Sequence, residues 1–269
     1  MATVYIKPGS GTGTGTLADP YFYSQLSSAE TAAGAGGTIL FTDGTYSLTS
    51  ASWLVDNLTY KSLNQNGAVI DGTVTSEGST IRDLLQGSTS GTIGTIVDGF
   101  KFIDFRISQR MPNSATPLNQ VLNCNFTCTT YLAYGNLGAI QGFWAANRVK
   151  VDLCSFHIKM YSGAKVFSDF ASSIIERSTI GLDLHASETA VSIDSLNLAK
   201  NCIFVSNDSG SVVSGNIASS CNNCCIDNWG TTTSGGTNNI FQDPQLVDLV
   251  NGDLRLRPSS PCIGAATTS

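Results

Sequence analysis

Asn123-Cys124-Asn125-Phe126, Asn201-Cys202-Ile203-Phe204 and Asn223-Cys224-Cys225-Ile226 are versions of one four-residue phrase. The same small-then-apolar spacing recurs at Cys154 with Phe156 and at Ser178 with Ile180. Phe102, Phe126, Phe156, Ile180 and Phe204 follow one another at steps of 24, 30, 24 and 24 residues. A period of this length marks supersecondary units that stack on one another. The units are too rich in β-branched and aromatic residues, and too broken by Gly, Asn and Ser, for helical repeats. One turn of a parallel β-solenoid fits, with like residues stacked from turn to turn. Phe126, Phe156, Ile180 and Phe204 are expected in one interior stack, with Cys124, Cys154, Ser178 and Cys202 in register beside it.

Working outward, Thr3–Ile6 reads as a short strand and Gly9–Gly15 as a Gly/Thr loop. That loop lacks the glycine spacing and the strand-to-helix setting of a phosphate cradle. Asp19-Pro20 opens a helical stretch to Ala33, with Tyr23, Leu26, Ala29, Ala32 and Ala33 as its apolar stripe. Such a helix can cover the open end of a stack, where strand edges would otherwise be free. Gly37–Phe41 and Thr45–Leu48 read as strands around Asp43-Gly44. Val69-Ile70-Asp71-Gly72 and Ile96-Val97-Asp98-Gly99 match at a step of 27, with Asp-Gly marking a corner of positive φ. The extra residues between Phe126 and Phe156 hold Tyr131, Tyr134, Phe143 and Trp144, an aromatic insertion suited to a sugar or a protein partner. After residue 230 the repeat gives way to Gly235–Phe241, and Asp243–Asp248 with Asn251–Leu256 read as a closing turn and a short hairpin that cover the far end.

The composition sets limits. Of 269 residues only 13% are charged, and the net charge is −6 with a pI near 4.7. That balance speaks against nucleic acid and anionic membranes as main partners. No apolar run is long enough to span a bilayer, and Met1–Pro8 lacks the basic and apolar regions of a secretory signal. The eight cysteines are scattered, and those in register would have parallel Cβ vectors, a poor geometry for a bridge. They read as free, buried thiols, and a non-exported protein is expected.

Registering the turns places Asp98, Leu122, Asp152, Glu176 and Lys200 in one column, four residues before the apolar stack. Asp152 and Glu176 on adjacent turns are the one candidate catalytic pair, since two carboxylates at this spacing suit a retaining glycosidase. An exposed charge ladder relieved by Lys200 is the simpler reading. Lys159, Asp183 and Asn207 form a second column, a cross-turn ion pair that in a lyase would hold the base. His157 points away from the Phe156 side, and His157 with His185 gives too few ligands for zinc. Cys221, Cys224 and Cys225 read as core. No metal or cofactor is assigned.

The head (the Gly-rich loop, Asp19-Pro20-Tyr21 and the helix) resembles right-handed parallel β-helix proteins of the pectate-lyase-like superfamily. So does the tail, Asp243-Pro244-Gln245-Leu246 through Pro261-Cys262-Ile263-Gly264. The resemblance implies an all-β, right-handed parallel β-helix of roughly eight turns, about 40 Å tall at 4.8 Å per turn. One domain would run over 1–269: strand, loop and capping helix in 1–36, turns in 37–236 and a C-terminal cap in 237–269. The superfamily holds polysaccharide lyases, glycoside hydrolases, bacterial adhesins and phage tailspike-like or decoration proteins. The expectation is a structural spike or decoration protein of a phage virion, made in the host cytoplasm, with adhesion to cell-surface glycans as an added role. Partners would be other virion proteins, its own copies as a homo-oligomer, or host polysaccharide, with Tyr131, Tyr134, Phe143 and Trp144 as the contact residues. A polysaccharide lyase or glycoside hydrolase, and a bacterial surface adhesin, are the alternatives.

Overall fold

The computed structural model describes residues 1–47, 57–72, 82–83, 94–108, 119–127, 140–141, 149–160, 167–168, 174–184, 190–192, 198–207, 212–214, 221–227 and 236–266. The architecture is all-β with one short α-helix. Two long parallel sheets, of ten and eight strands, run side by side, and the chain alternates between them. A four-stranded sheet and a two-stranded pair, Ala190–Ser192 with Val212–Ser214, supply a third side. Each pass adds one strand to each long sheet, always next to the strand of the previous pass.

The register follows the repeat residue by residue. On the second sheet the pairs run Tyr46, Ile70, Phe102, Phe126, Phe156, Ile180, Phe204, Ile226, one side chain per strand. All are buried. Phe102 and Phe126 stack at 4.7 Å and 17°, Phe126 and Phe156 at 4.8 Å and 8°. Those separations are the inter-strand spacing itself, so parallel pairing dictates the ring stack. The first sheet supplies the facing column, Ile39, Tyr60, Val97, Val121, Val151, Ile175, Ala199 and Cys221. The two columns meet as the core.

A corner joins the two sheets in each repeat. Its first residue has positive φ: Gly99, Asn123, Leu153, Arg177, Asn201 and Asn223 in successive passes, at 79°, 53°, 54°, 46°, 52° and 55°. Asn tolerates this region better than other non-glycine residues, which explains its recurrence. The next residue points inward. Cys124, Cys154, Cys202 and Cys224 each direct a thiol at the carbonyl two residues earlier, at 3.1, 3.3, 3.2 and 3.4 Å. Ser178 makes the same contact at 2.7 Å. In these five corners the inward side chain is small, tolerates burial and carries a donor; after Gly99 the buried Phe100 takes that place instead.

Several expectations change. Asp71 and Asp98 are not equivalent: Asp71 pairs with Ile103 on the second sheet, Asp98 with Lys61 on the first. Gly99 has the expected positive φ, but Gly72 is absent from that set; a Cβ there would lie 2.4 Å from the Asp104 carbonyl oxygen, so close backbone approach requires it. The α-helix spans Leu26–Ala33, not Asp19 onward. Tyr21–Phe22 pairs with Ile6–Lys7 as a strand, and Tyr23–Gln25 forms a 3-10 turn. Gln25 accepts from the Gly13 and Phe22 amides through its side chain, which ties the Gly/Thr loop to this turn and delays the helix. Ala29 and Ala33 are buried, whereas Ala32 faces solvent.

The tail is an antiparallel hairpin of Leu246–Asp248 and Asp253–Leu256. Residues 237–242 extend the last pass: Ile240 bridges Cys225 in parallel, and Asn223 donates its amide to the Thr237 carbonyl at 2.9 Å. The hairpin itself lies against the flank of the second sheet. A Cβ at Gly181 would meet Leu249 at 2.5 Å and Leu254 at 2.8 Å.

Candidate functional site

Asp152 and Glu176 are cross-strand neighbours, as the register requires. The strand Val149–Asp152 carries both Lys150 and Asp152. Lys150 Nζ lies 3.4 Å from Asp152 and 3.2 Å from Glu176. Arg177, at the corner of the next pass, grips Asp152 with two donors; its Nε donates to Oδ1 at 2.9 Å and an Nη donates to Oδ2. Burial by itself would push the Asp152 carboxyl up; the Arg177 hydrogen bonds and charge, with Lys150, outweigh it and hold it below the ordinary range. The column is not an exposed ladder at Asp152, although Glu176 does pair in register with Lys200. Asp152 is 5% exposed, and the cations that neutralise it come from its own strand and from the corner. A retaining pair needs one ionised and one protonated carboxyl; Asp152 is driven to the ionised state, and its oxygens are taken by Arg177 and Lys150.

The second column also forms. Lys159 pairs with Asp183 at 3.7 Å, and Asn207 donates to the same carboxylate at 2.6 Å. Asp183 is 2% exposed although it points outward from the sheet. Tyr131, Tyr134, Phe143, Trp144 and His185 lie outside the described residues. Cys221, Cys224 and Cys225 are buried. Among the described residues no three His, Cys, Asp or Glu side chains are placed to share a metal ion, and no helix is long and apolar enough to cross a membrane.

A concave feature of the described surface lies where hairpin meets sheet. It is a cleft of about 270 Å³. Asn125, Ser155 and Thr179, outward-facing neighbours on three successive strands, line one wall; Asp253 and Arg255 of the hairpin line the other. Arg255 and Asp253 bind each other through two bonds of 2.8 and 2.6 Å, which lowers the Asp253 carboxyl to about 2. His157 closes the inner end. It is 3% exposed, and neither ring nitrogen has a hydrogen-bond partner. Burial pushes its pKa down, and Lys159 adds to that; Asp183, Asp248 and the Leu249 carbonyl oppose it without reversing it.

Sequence reasoning placed His157 on the outward side but not beneath another segment. The available signal was Gly181, the single glycine in the outward column Thr127, His157, Gly181, Val205, Asp227. A missing side chain on a sheet flank is a seat for something else. No protein-family model matches this chain, and no curated protein is detectably similar to it.

Proposed function

We propose that this chain is a right-handed parallel β-helix of the pectate-lyase-like superfamily, one domain over residues 1–269, acting as a structural spike or decoration protein of a phage particle. Right-handed crossovers are the near-universal choice for parallel strands. Helix Leu26–Ala33, which buries Ala29 and Ala33 against the first strands, caps one end of the stack in this reading. Adhesion to host surface glycans through Tyr131, Tyr134, Phe143 and Trp144 is its second part, with homo-oligomers or other virion proteins as partners.

One observation carries the structural over the enzymatic reading. Among the described residues, the carboxylate pair that the sequence points to is bound up in ion pairs, Glu176 with Lys150 and Asp152 with Lys150 and Arg177, which supports a structural role for it. The uninterrupted interior columns add a physical motive, since a particle protein gains from a stack whose rungs support one another. Mass spectrometry of purified virions is the test: the chain should be present in stoichiometric amount. Its absence from virions, together with release of oligosaccharides from host polysaccharide by the purified protein, would establish the lyase or hydrolase alternative.

A further inference from the structure

His157 lies beneath the C-terminal hairpin. The Gly252 backbone lies over its Nδ1, where a Cβ would come within 2.7 Å, and Leu249 and Leu254 sit in the notch above Gly181. With both nitrogens sealed, a ligand in the adjacent cleft has no path to them, and the species this ring can answer is the proton.

We propose that the C-terminal hairpin is a proton-operated clasp: uptake of a proton by His157 lifts Leu246–Leu256 off the flank of the second sheet. A buried neutral imidazole with both nitrogens unpartnered is already unfavourable, and burying the imidazolium costs more still. Asp183, Asp248 and the Leu249 carbonyl favour the charged ring, but not enough to offset burial and Lys159. Lys159, on the same strand, repels the charged ring. Asp183, on the next strand, is committed to Lys159 and Asn207. From the hairpin, Asp248 accepts two bonds from Asn251, at 3.2 and 2.7 Å. Asp253 and Arg255 hold each other, and Arg257 lies near Asp248. Swinging the hairpin away hydrates the ring and leaves every rung of the stack paired, so opening is local. The released face carries Leu249 and Leu254, apolar surface that the closed form hides.

The sign follows from linkage. With the hairpin open, His157 titrates near its ordinary value of about 6.5; closed, it titrates lower. The closed form is therefore fully favoured above about pH 6.5, and its advantage shrinks as pH falls from there toward the closed-state value. Between about pH 7.5 and 5.5 the opening equilibrium should rise by up to about tenfold.

Hydrogen exchange on the full chain reads this directly. After division by the intrinsic rates, amides of residues 246–256 should lose protection by up to about tenfold over that range, while the interior strands around Phe126 and Phe204 keep theirs. In His157→Leu the hairpin should exchange equally at both pH values. A wild-type hairpin whose protection ignores pH, or an equal loss in His157→Leu, would overturn the proposal. Should that variant not fold, ring titration of His157 by NMR in the wild type, assigned with His185→Gln, decides it: a value at or above about 6.5 refutes the clasp and a lower one supports it.

Discussion

Phe156 and His157 are consecutive residues of one strand, and each is almost wholly buried, but by different means. Phe156 points inward and is covered by Phe126 on the rung before and Ile180 on the rung after. His157 points outward and is covered by a hairpin that follows in the chain after the last rung. The first kind of burial is periodic and cooperative. The second is a single contact between the stack and its own tail, and it can be removed while the stack stays whole.

Substitutions at the two positions should separate accordingly. Phe156→Ala removes a ring from the middle of a continuous stack and should cost about 3–5 kcal/mol in chemical denaturation, with the whole chain unfolding earlier. A loss below about 1 kcal/mol would mean that the column does not bear on stability. Gly181→Val fills the notch where Leu249 and Leu254 sit and should cost about 1–3 kcal/mol by overpacking. Its signature is local: limited proteolysis should cut the C-terminal hairpin while the rungs resist.

The ion network gives a smaller effect. Asp152→Asn leaves Lys150 and Arg177 partly exposed, so the cost should be about 1–2 kcal/mol near neutral pH. Because the native carboxyl titrates below its unfolded value of about 3.9, its contribution is present above that pH and lost as pH falls through the native value. The variant should therefore show a flatter acid limb below about pH 4 than the wild type, measured as thermal midpoint against pH. Smallest of all, Leu153→Asn should raise stability by up to about 1 kcal/mol, since Leu holds the left-handed corner that Asn123, Asn201 and Asn223 hold at less strain. A destabilised Leu153→Asn would show that its half-exposed side chain contributes more than the strain costs.

Periodic features were readable before any coordinates. The apolar column, the thiol column and the pairing of Asp152 with Glu176 all follow from a step of 24, because parallel strands convert a sequence period into a stack. The match of Asp71-Gly72 with Asp98-Gly99 failed for an instructive reason. Glycine is demanded at one site by positive φ and at the other by crowding against Asp104. Identical dipeptides thus arose from different constraints. Lys150 and Arg177 were missed because ion pairing reaches along the strand and around the corner as well as up the column. The cover over His157 was not legible either, since residues 246–256 carry no repeat that could be registered against the stack.

The corners also turn the chain into a measure of length. The pass from Phe126 to Phe156 is six residues longer than its neighbours, yet Val121 still meets Val151 and Phe126 still meets Phe156. The register of the two long sheets is therefore indifferent to the surplus. A copied segment of 24 residues, spliced between Ile180 and Phe204, would find corner, thiol and ring partners already waiting on both sides. The molecule should therefore grow by whole increments of about 4.8 Å, as a ladder gains rungs, so its reach can be altered without redesigning either end.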